Sequence, residues 1–318
     1  MESVTSIALH TLQFNFLYKE KYCMKLRGPT KIKIENLILF SPGFIIYVGL
    51  IVFSIILCFY YSFFDWDGIR KSMEFIGFTN YIRAFSNDEF RSSIVTTFYF
   101  AILGTILVNV ISLTLAVLLK QQNHINNFYR AAFFFPQLIS LVAVGFIFKG
   151  LLSYIGIVNT LFEQYGIPKF DFLGTPRNAP VTVLIISIWQ TTGFATVLYL
   201  AGLQAIPLDL YEAAKIDGAN AWIKFRAITF PWLAPSFTAV TIFLFTGYMK
   251  IFDIIFVMTG GGPAETTQTI AVYIMKIGFN QFRISYASAV AIYMTSLVMT
   301  IALVLTGILR KREEVLIS

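Results

Sequence analysis

Residues 211–231 read YEAAKIDGANAWIKFRAITFP, with Glu212, Lys215, Asp217, Lys224 and Arg226 spread along them. On either side stand long apolar stretches, 181–204 and 233–258, that nearly avoid charge. A charged run held between windows of that length is the pattern of a loop joining two membrane spans, since about 20 apolar residues in a helix cross the hydrocarbon core. The rest of the chain agrees. Of its 318 residues 57% are hydrophobic and 13% charged, and the mean hydropathy is +0.72, against about 45–50% apolar and about 25% charged in soluble domains. Too little polar surface remains to cover such a core in water, so the bilayer must serve as its solvent.

Windows of span length lie at 39–64, 94–119, 131–151, 181–204, 233–258 and 288–309. None alternates with the period of a strand, so the expected fold is all-α and polytopic, with six transmembrane helices. The first window is too long for a signal-peptide core and no small-residue cleavage site follows it, which makes it a retained helix. Phe59, Tyr60, Tyr61, Phe63, Phe64 and Trp66 crowd its far end, as at a membrane interface.

Lys and Arg give the orientation. Fourteen fall on one side: Lys19, Lys21, Lys25, Arg27, Lys31, Lys33, Lys120, Arg130, Lys215, Lys224, Arg226, Arg310, Lys311 and Arg312. Eight fall on the other, and Lys149 and Lys250 lie within spans. Positive residues stay on the cytoplasmic side, so both termini are expected there. That face accounts for the net charge of +7, and no basic stripe interleaved with aromatics points to nucleic acid. Cys23, Cys58, His10 and His124 are each isolated. They offer no disulfide framework, metal-ligand set or acid–base pair, and no catalytic residue is expected.

The chain divides into an N-terminal cytoplasmic segment (1–38), the first helix (39–64), an outer loop (65–93), a five-helix core (94–309) and a tail (310–318). Met24 opens MKLRGPTKIKIENLILF, a more economical start with its own cluster of four positive charges, so Met1 and Met24 both stand as starts of translation. Two further outer loops, 152–180 and 259–287, are long enough to contact something outside. The one long inner loop, 205–230, reads as two short helices. Asp209 is placed to cap the first and Glu212 to complete a capping box; the helix ends near Gly218, Asn220 caps the second, and Thr229, Phe230 and Pro231 redirect the chain into the fifth span. Ala213 and Ala214 leave a shallow face, flanked by Glu212, Lys215 and Asp217, that suits insertion into a groove on a cytosolic protein. The alternative is a helix resting on lipid headgroups, but such helices carry bulky apolar side chains and a basic face.

These residues resemble a known family. EAA followed by Gly in YEAAKIDGA, then ITFP before the next span, is similar to the EAA loop in the membrane subunits of binding-protein-dependent ABC importers. The resemblance runs from about residue 39 onward and includes FIGFTNYIRAF (75–85), YRAAFFFPQLIS (129–140), GIVNTL (156–161) and AGLQAIPLDLYEAAKIDGA (201–219). FDIIFVMTGGGP (252–263) resembles the branch that carries sugars, oligosaccharides and glycerol phosphates. The resemblance implies a type I importer permease fold in the cytoplasmic membrane of a prokaryote. It also implies two ATP-binding subunits, a second and different permease subunit, and an extracytoplasmic solute-binding protein. Glu212, Ala213, Ala214, Asp217 and Gly218 would then couple to an ATPase. No G-x-x-x-x-G-K-[ST] run occurs, and TGGGPAETTQT (259–269) lacks the lysine, so ATP is expected to be used by partner subunits, with no cofactor bound here.

A solute path is less sharply marked. Lys250 and Asp253 stand three apart, either neutralising each other on one helix or touching solute. Ser187, Trp189, Gln190, Thr191 and Phe194 give the fourth span a polar and aromatic mix, of which Ser187, Thr191 and Phe194, with Lys250, are the pathway candidates. TGGGP reads as an outer turn, or as a segment that meets the binding protein. The main rival is an ion-coupled secondary transporter, which should show inverted repeats or broken helices with buried carboxylates. No internal repeat is seen, and Asp253 is the one acid inside the six windows. An enzyme lacks convergent catalytic groups, and a channel leaves the alanine-faced loop unexplained.

Overall fold

The computed structural model describes residues 39–317. The 1–38 segment, with Met24, Cys23, His10 and the basic residues from Lys19 to Lys33, lies outside the described residues. The chain falls into two units, 1–57 and 58–318. Within the first, residues 39–57 are helical, apolar and exposed along most of their length, with a π-helical turn at Val48–Val52.

The elements follow one another as helix α1 (Leu39–Tyr61), a hairpin of β1 (Phe64–Asp65) and β2 (Glu74–Phe75), then α2 (Thr79–Ser86), α3 (Asp88–Leu118) and α4 (His124–Phe134). After a 3₁₀ turn at Phe135–Leu138 come α5 (Leu141–Leu152), α6 (Ile157–Gln164), α7 (Asn178–Gln204), α8 (Leu208–Ile216) and α9 (Ala221–Lys224). A π-helical turn, Phe225–Thr229, leads to α10 (Phe230–Trp232) and α11 (Ala234–Met249); α12 (Asp253–Met258), α13 (Ile270–Met275) and α14 (Ile284–Ile317) complete the chain. Among the described residues, six helical stretches are long and apolar enough to cross a membrane: Leu39–Tyr61, Asp88–Leu118, Leu141–Gln164, Asn178–Gln204, Ala234–Met258 and Ile284–Lys311. The six-span, all-α expectation holds.

Three spans differ from the sequence windows. The second begins at Asp88 instead of 94, because the Asn87 side chain accepts from the Phe90 amide at 3.0 Å and acids in the first turn suit a helix N-terminus. Acids therefore stand at the ends of two spans, Asp88 and Glu89 in the second and Glu163 in the third, while Asp253 lies at a break inside the fifth. The third begins at Leu141 instead of 131. Pro136 cannot continue a helix, so 124–138 forms a separate elbow and the span extends through α6 to Gln164. The fifth is interrupted: α11 ends at Met249 and α12 starts at Asp253.

The core is built around α7, the most buried of the six spans, which packs on α3, while α3 also packs on α11, α11 on α14, and α12 on α5. Between membrane helices, small residues allow close approach and polar side chains act as ties. Both devices occur. Gly104 of α3 lies under the Tyr248 ring, where a Cβ would stand 2.6 Å from Cζ, and a Cβ at Gly193 of α7 would collide with the Phe133 carbonyl of α4. Buried Tyr199 on α7 donates to Asn109 Oδ1 on α3 at 2.5 Å, and Thr241 of α11 reaches the same oxygen at 3.5 Å. A second cluster gathers Phe90, Tyr273, Tyr286 and Val290 at the α3 N-terminal end.

Candidate functional site

The 205–230 loop is folded. Its first helix, α8, takes Pro207 as N-cap with no side-chain cap bond, and Asp209 sits one residue inside the first turn. The expected capping box of Asp209 and Glu212 is therefore absent: Pro207 occupies the cap, and a residue already in the helix cannot fold back onto the amides that follow it. Asp209 instead sets negative charge at the positive end of the helix dipole.

The other end matches the reading closely. Asp217 is the C-cap and Gly218 has φ +73°, a conformation that only glycine adopts freely. The Gly218 amide donates to the Lys215 carbonyl at 3.2 Å and the Ala219 amide to the Ala214 carbonyl at 2.9 Å, the paired bonds of a Schellman motif. Asn220 caps α9 by accepting from the Ile223 amide at 2.9 Å. The second helix then runs on through the π turn into α10, where Pro231 stands in the first turn.

Glu212, Ala213, Lys215, Asp217 and Gly218 are exposed, and Ala214 is half-buried. Leu210 and Tyr211, on the opposite face of α8, pack against the main core. The outer face is not alanine alone. Ile216 is 87% exposed, Leu208 70% and Trp222 67%, so bulky apolar side chains stand beside the alanines, and what still separates α8 from a helix resting on lipid is its charge, Asp209 and Glu212 against Lys215, in place of a basic face. Sequence reading missed them because it weighed only the EAA positions. A period of four from Leu208 through Glu212 to Ile216 marks the stripe.

The second site is a cavity of about 230 Å³ at the break in the fifth span. Ser187, Thr191, Phe194 and Lys250 all line it, so the four pathway candidates meet around one space. Their chemistry differs. Ser187 is buried and gives its hydrogen to the Val183 carbonyl at 2.8 Å. Thr191 donates to the Ser187 carbonyl at 2.8 Å and lies 3.0 Å from the Tyr248 hydroxyl. Phe194 packs on Phe243, with ring centroids 4.9 Å apart. Lys250 terminates α11 and is exposed; among the described residues it forms no ion pair, because the break separates it from Asp253. The same-helix neutralisation of Lys250 by Asp253 is thus overturned, and both side chains line the cavity.

Trp189 and Gln190 face elsewhere. Trp189 packs on Phe148, and buried Gln190 donates to the Ile139 carbonyl at 3.0 Å, holding the break between the 3₁₀ turn and α5. Phe243, Gly247 and Tyr248 were missed as cavity residues. Phe243 and Gly247 stand four apart along α11, as do Leu244 and Tyr248, so the four share one face opposite 187, 191 and 194 on α7, and that periodicity is the signal that marks them.

Bundled spans around a mostly apolar cavity that carries a few polar side chains, with a folded charged loop at one end, are the parts of a membrane transport subunit. The chain belongs to the binding-protein-dependent transport system inner membrane component family, whose pattern matches residues 113–315. It is 32% identical over 274 residues to a probable starch degradation products transport system permease protein of Thermoanaerobacterium thermosulfurigenes, covering 86% of this chain and 93% of that one. It is 33% identical over 244 residues to a trehalose/maltose transport system permease protein of Thermococcus litoralis, covering 76% and 81%. Among solved structures it shares the fold of a chain from a bacterial alginate ABC transporter in complex with alginate pentasaccharide-bound periplasmic protein. The TM-score is 0.76 at 21% identity, over 90% of this chain and 98% of that one. The type I importer permease fold expected from the sequence is the fold adopted.

Proposed function

We propose that this chain is the membrane-spanning subunit of an ATP-driven importer that carries a sugar or related solute across the cytoplasmic membrane of a prokaryote by alternating access. Its partners are two ATP-binding subunits, a second permease subunit and an extracytoplasmic solute-binding protein. The observation that carries this reading is the 205–230 loop: α8 turns its core-facing side to the bundle, leaves Glu212, Ala213 and Ile216 outward, and is stopped by Gly218. An apolar stripe edged with charge on a stiff short helix fits a groove on a folded partner. Nucleotide-driven movement of that partner then has a handle on the spans. Moving a two-state bundle from one side to the other takes about 5.5 kcal/mol of differential binding, within reach of ATP-linked association.

The relatives named for starch products and for trehalose/maltose favour a sugar. The lining of the cavity suits one: Phe194, Phe243 and Tyr248 supply aromatic surface for the C–H side of a pyranose, and Thr191, Lys250 and Asp253 supply groups that can hydrogen-bond hydroxyls. ATP is handled by the partner subunits. The positive-inside count supports a cytoplasmic position for the termini and the loop.

The broken fifth span is the one feature that favours the ion-coupled alternative. Asp253 there is exposed instead of buried, which suits solute contact better than ion coupling. One experiment separates the two: uptake of radiolabelled maltotriose, trehalose and lactose into cells, with ATP depleted or with the ion gradient collapsed. Uptake is expected to stop when ATP is depleted and to continue when only the ion gradient is collapsed, and to stop in Glu212→Lys and Gly218→Pro chains that still reach the membrane. Proline cannot adopt φ +73° and lacks the amide that bonds Lys215. Normal uptake in both variants, or uptake that follows the gradient, overturns the reading.

A further inference from the structure

We propose that Tyr211 is the positioning residue that carries displacement of α8 into the second and fifth spans, with Lys120 as its counterpart; this rests on the docking reading above. Among the described residues, Tyr211 makes the only polar side-chain contacts from α8 to the rest of the bundle. It makes two, in different directions. The Lys120 ammonium lies 3.7 Å from the centroid of its ring. Its hydroxyl lies 2.9 Å from Thr229 Oγ1, and Thr229 is buried in the π turn that leads into α11.

Each contact ends on a span that is held rigidly. Lys120 directly follows the C-cap of α3, and the Arg130 guanidinium grips that terminus through the Leu119 carbonyl at 2.5 and 3.1 Å and the Lys120 carbonyl at 3.1 Å. From there α3 runs as one 31-residue helix, about 46 Å at 1.5 Å per residue, passing under Tyr248 at Gly104. Thr229 begins the path along α10 and α11 to the cavity wall at Gly247 and Tyr248. A helix anchored only by apolar packing has nothing directional to stop it rolling about its axis. A cation on the ring face and a hydrogen bond at the ring edge fix both its rotation and its height.

The test uses the complex purified with its ATP-binding subunits, in a chain whose Cys23 and Cys58 are serine and whose Gly247, which faces open space, is cysteine. Labelling of Gly247→Cys by a membrane-impermeant maleimide is compared without nucleotide and with ATP plus vanadate, alongside ATP hydrolysis. The parent is expected to label at different rates in the two states. Tyr211→Leu and Lys120→Gln should retain the ATP-binding subunits and hydrolysis but lose about fivefold of that difference, while Lys120→Arg, which keeps a cation on the ring, preserves it. An undiminished difference in Tyr211→Leu and Lys120→Gln overturns the proposal; if Tyr211→Leu fails to assemble, the Lys120 pair decides. Glu212→Lys separates the two readings. If it alone abolishes the difference, docking stands and Tyr211 falls. If the parent shows no difference, or Glu212→Lys leaves it intact, docking itself falls and takes this proposal with it.

Discussion

Tyr199 donates its hydroxyl hydrogen to Asn109 Oδ1 at 2.5 Å, joining the fourth span to the second where both residues are buried. Asn109 in turn donates to the Thr105 carbonyl at 2.8 Å, so its amide is oriented by its own helix before it meets its partner. Removing the hydroxyl with Tyr199→Phe leaves Asn109 Oδ1 only the long contact from Thr241. The expected loss is about 1 kcal/mol, within the range of hydrogen bonds between membrane helices. Thermal unfolding in detergent measures it, and a double cycle with Asn109→Leu should show non-additivity; additive losses would mean that the pair does not interact.

Gly104 and Tyr248 form a small-on-large contact that also sets one wall of the cavity. Gly104→Val drives a side chain into the ring and should cost about 1–3 kcal/mol. Tyr248→Ala in the same chain removes the collision, so the double variant is expected to unfold at a higher temperature than Gly104→Val alone.

Gly247 behaves in the opposite way. It lines the cavity, and a Cβ there meets nothing within 4 Å. Gly247→Trp should therefore leave stability within about 0.5 kcal/mol, yet fill much of the space and abolish uptake. Full uptake with an indole at 247 would remove the cavity from the transport path.

Lys276 bridges Glu89, at the start of α3, and Glu265, whose carboxylate it meets at 2.9 Å. Burial alone lowers the pKa of an ammonium, but hydrogen bonds to the two carboxylates and their charge outweigh it, and Lys276 titrates above its ordinary value. A raised pKa means that the stabilisation is complete below the unfolded value, about 10.4, and is lost as pH rises through the folded one. The lysine side of this tie should thus be constant from about pH 6 to about pH 9 and fail in stronger alkali. Lys276→Met should lower stability by less than about 1 kcal/mol, since the group is a third exposed, and should make the alkaline loss in melting curves smaller than in the parent.

Spans and loop were legible because each rests on a strong local signal. Long apolar windows admit one reading in a bilayer, and Gly218 and Asn220 announce helix ends through backbone conformation and capping chemistry. Where two signals competed, the sequence misled. Ala131 to Phe135 are as apolar as any span, and only Pro136 reveals that they belong to an elbow. Lys250 and Asp253 have the spacing of a helical ion pair, but the break at 250–252 depends on tertiary contacts: the Ile251 carbonyl it frees is taken up by Thr269, eighteen residues on. The cavity was half legible, since Ser187, Thr191 and Phe194 share a face of α7, while which face of α11 answers them is decided by how the two helices pack. Tyr211 was quoted as part of the motif and not singled out, because its partners lie 91 positions before it and 18 after it.

The broken span divides one wall into a clamped part and a pivoting part. Lys149 grips the Val257 carbonyl at 3.0 Å and Thr269 the Ile251 carbonyl at 3.0 Å, so α12 is pinned near both ends by side chains from neighbouring segments. Any swing of α11 must be taken up at 250–252, beside Lys250 and Asp253. A chamber whose lining is shared across such a joint reshapes itself when the lower half tilts, and the charges at the joint travel least.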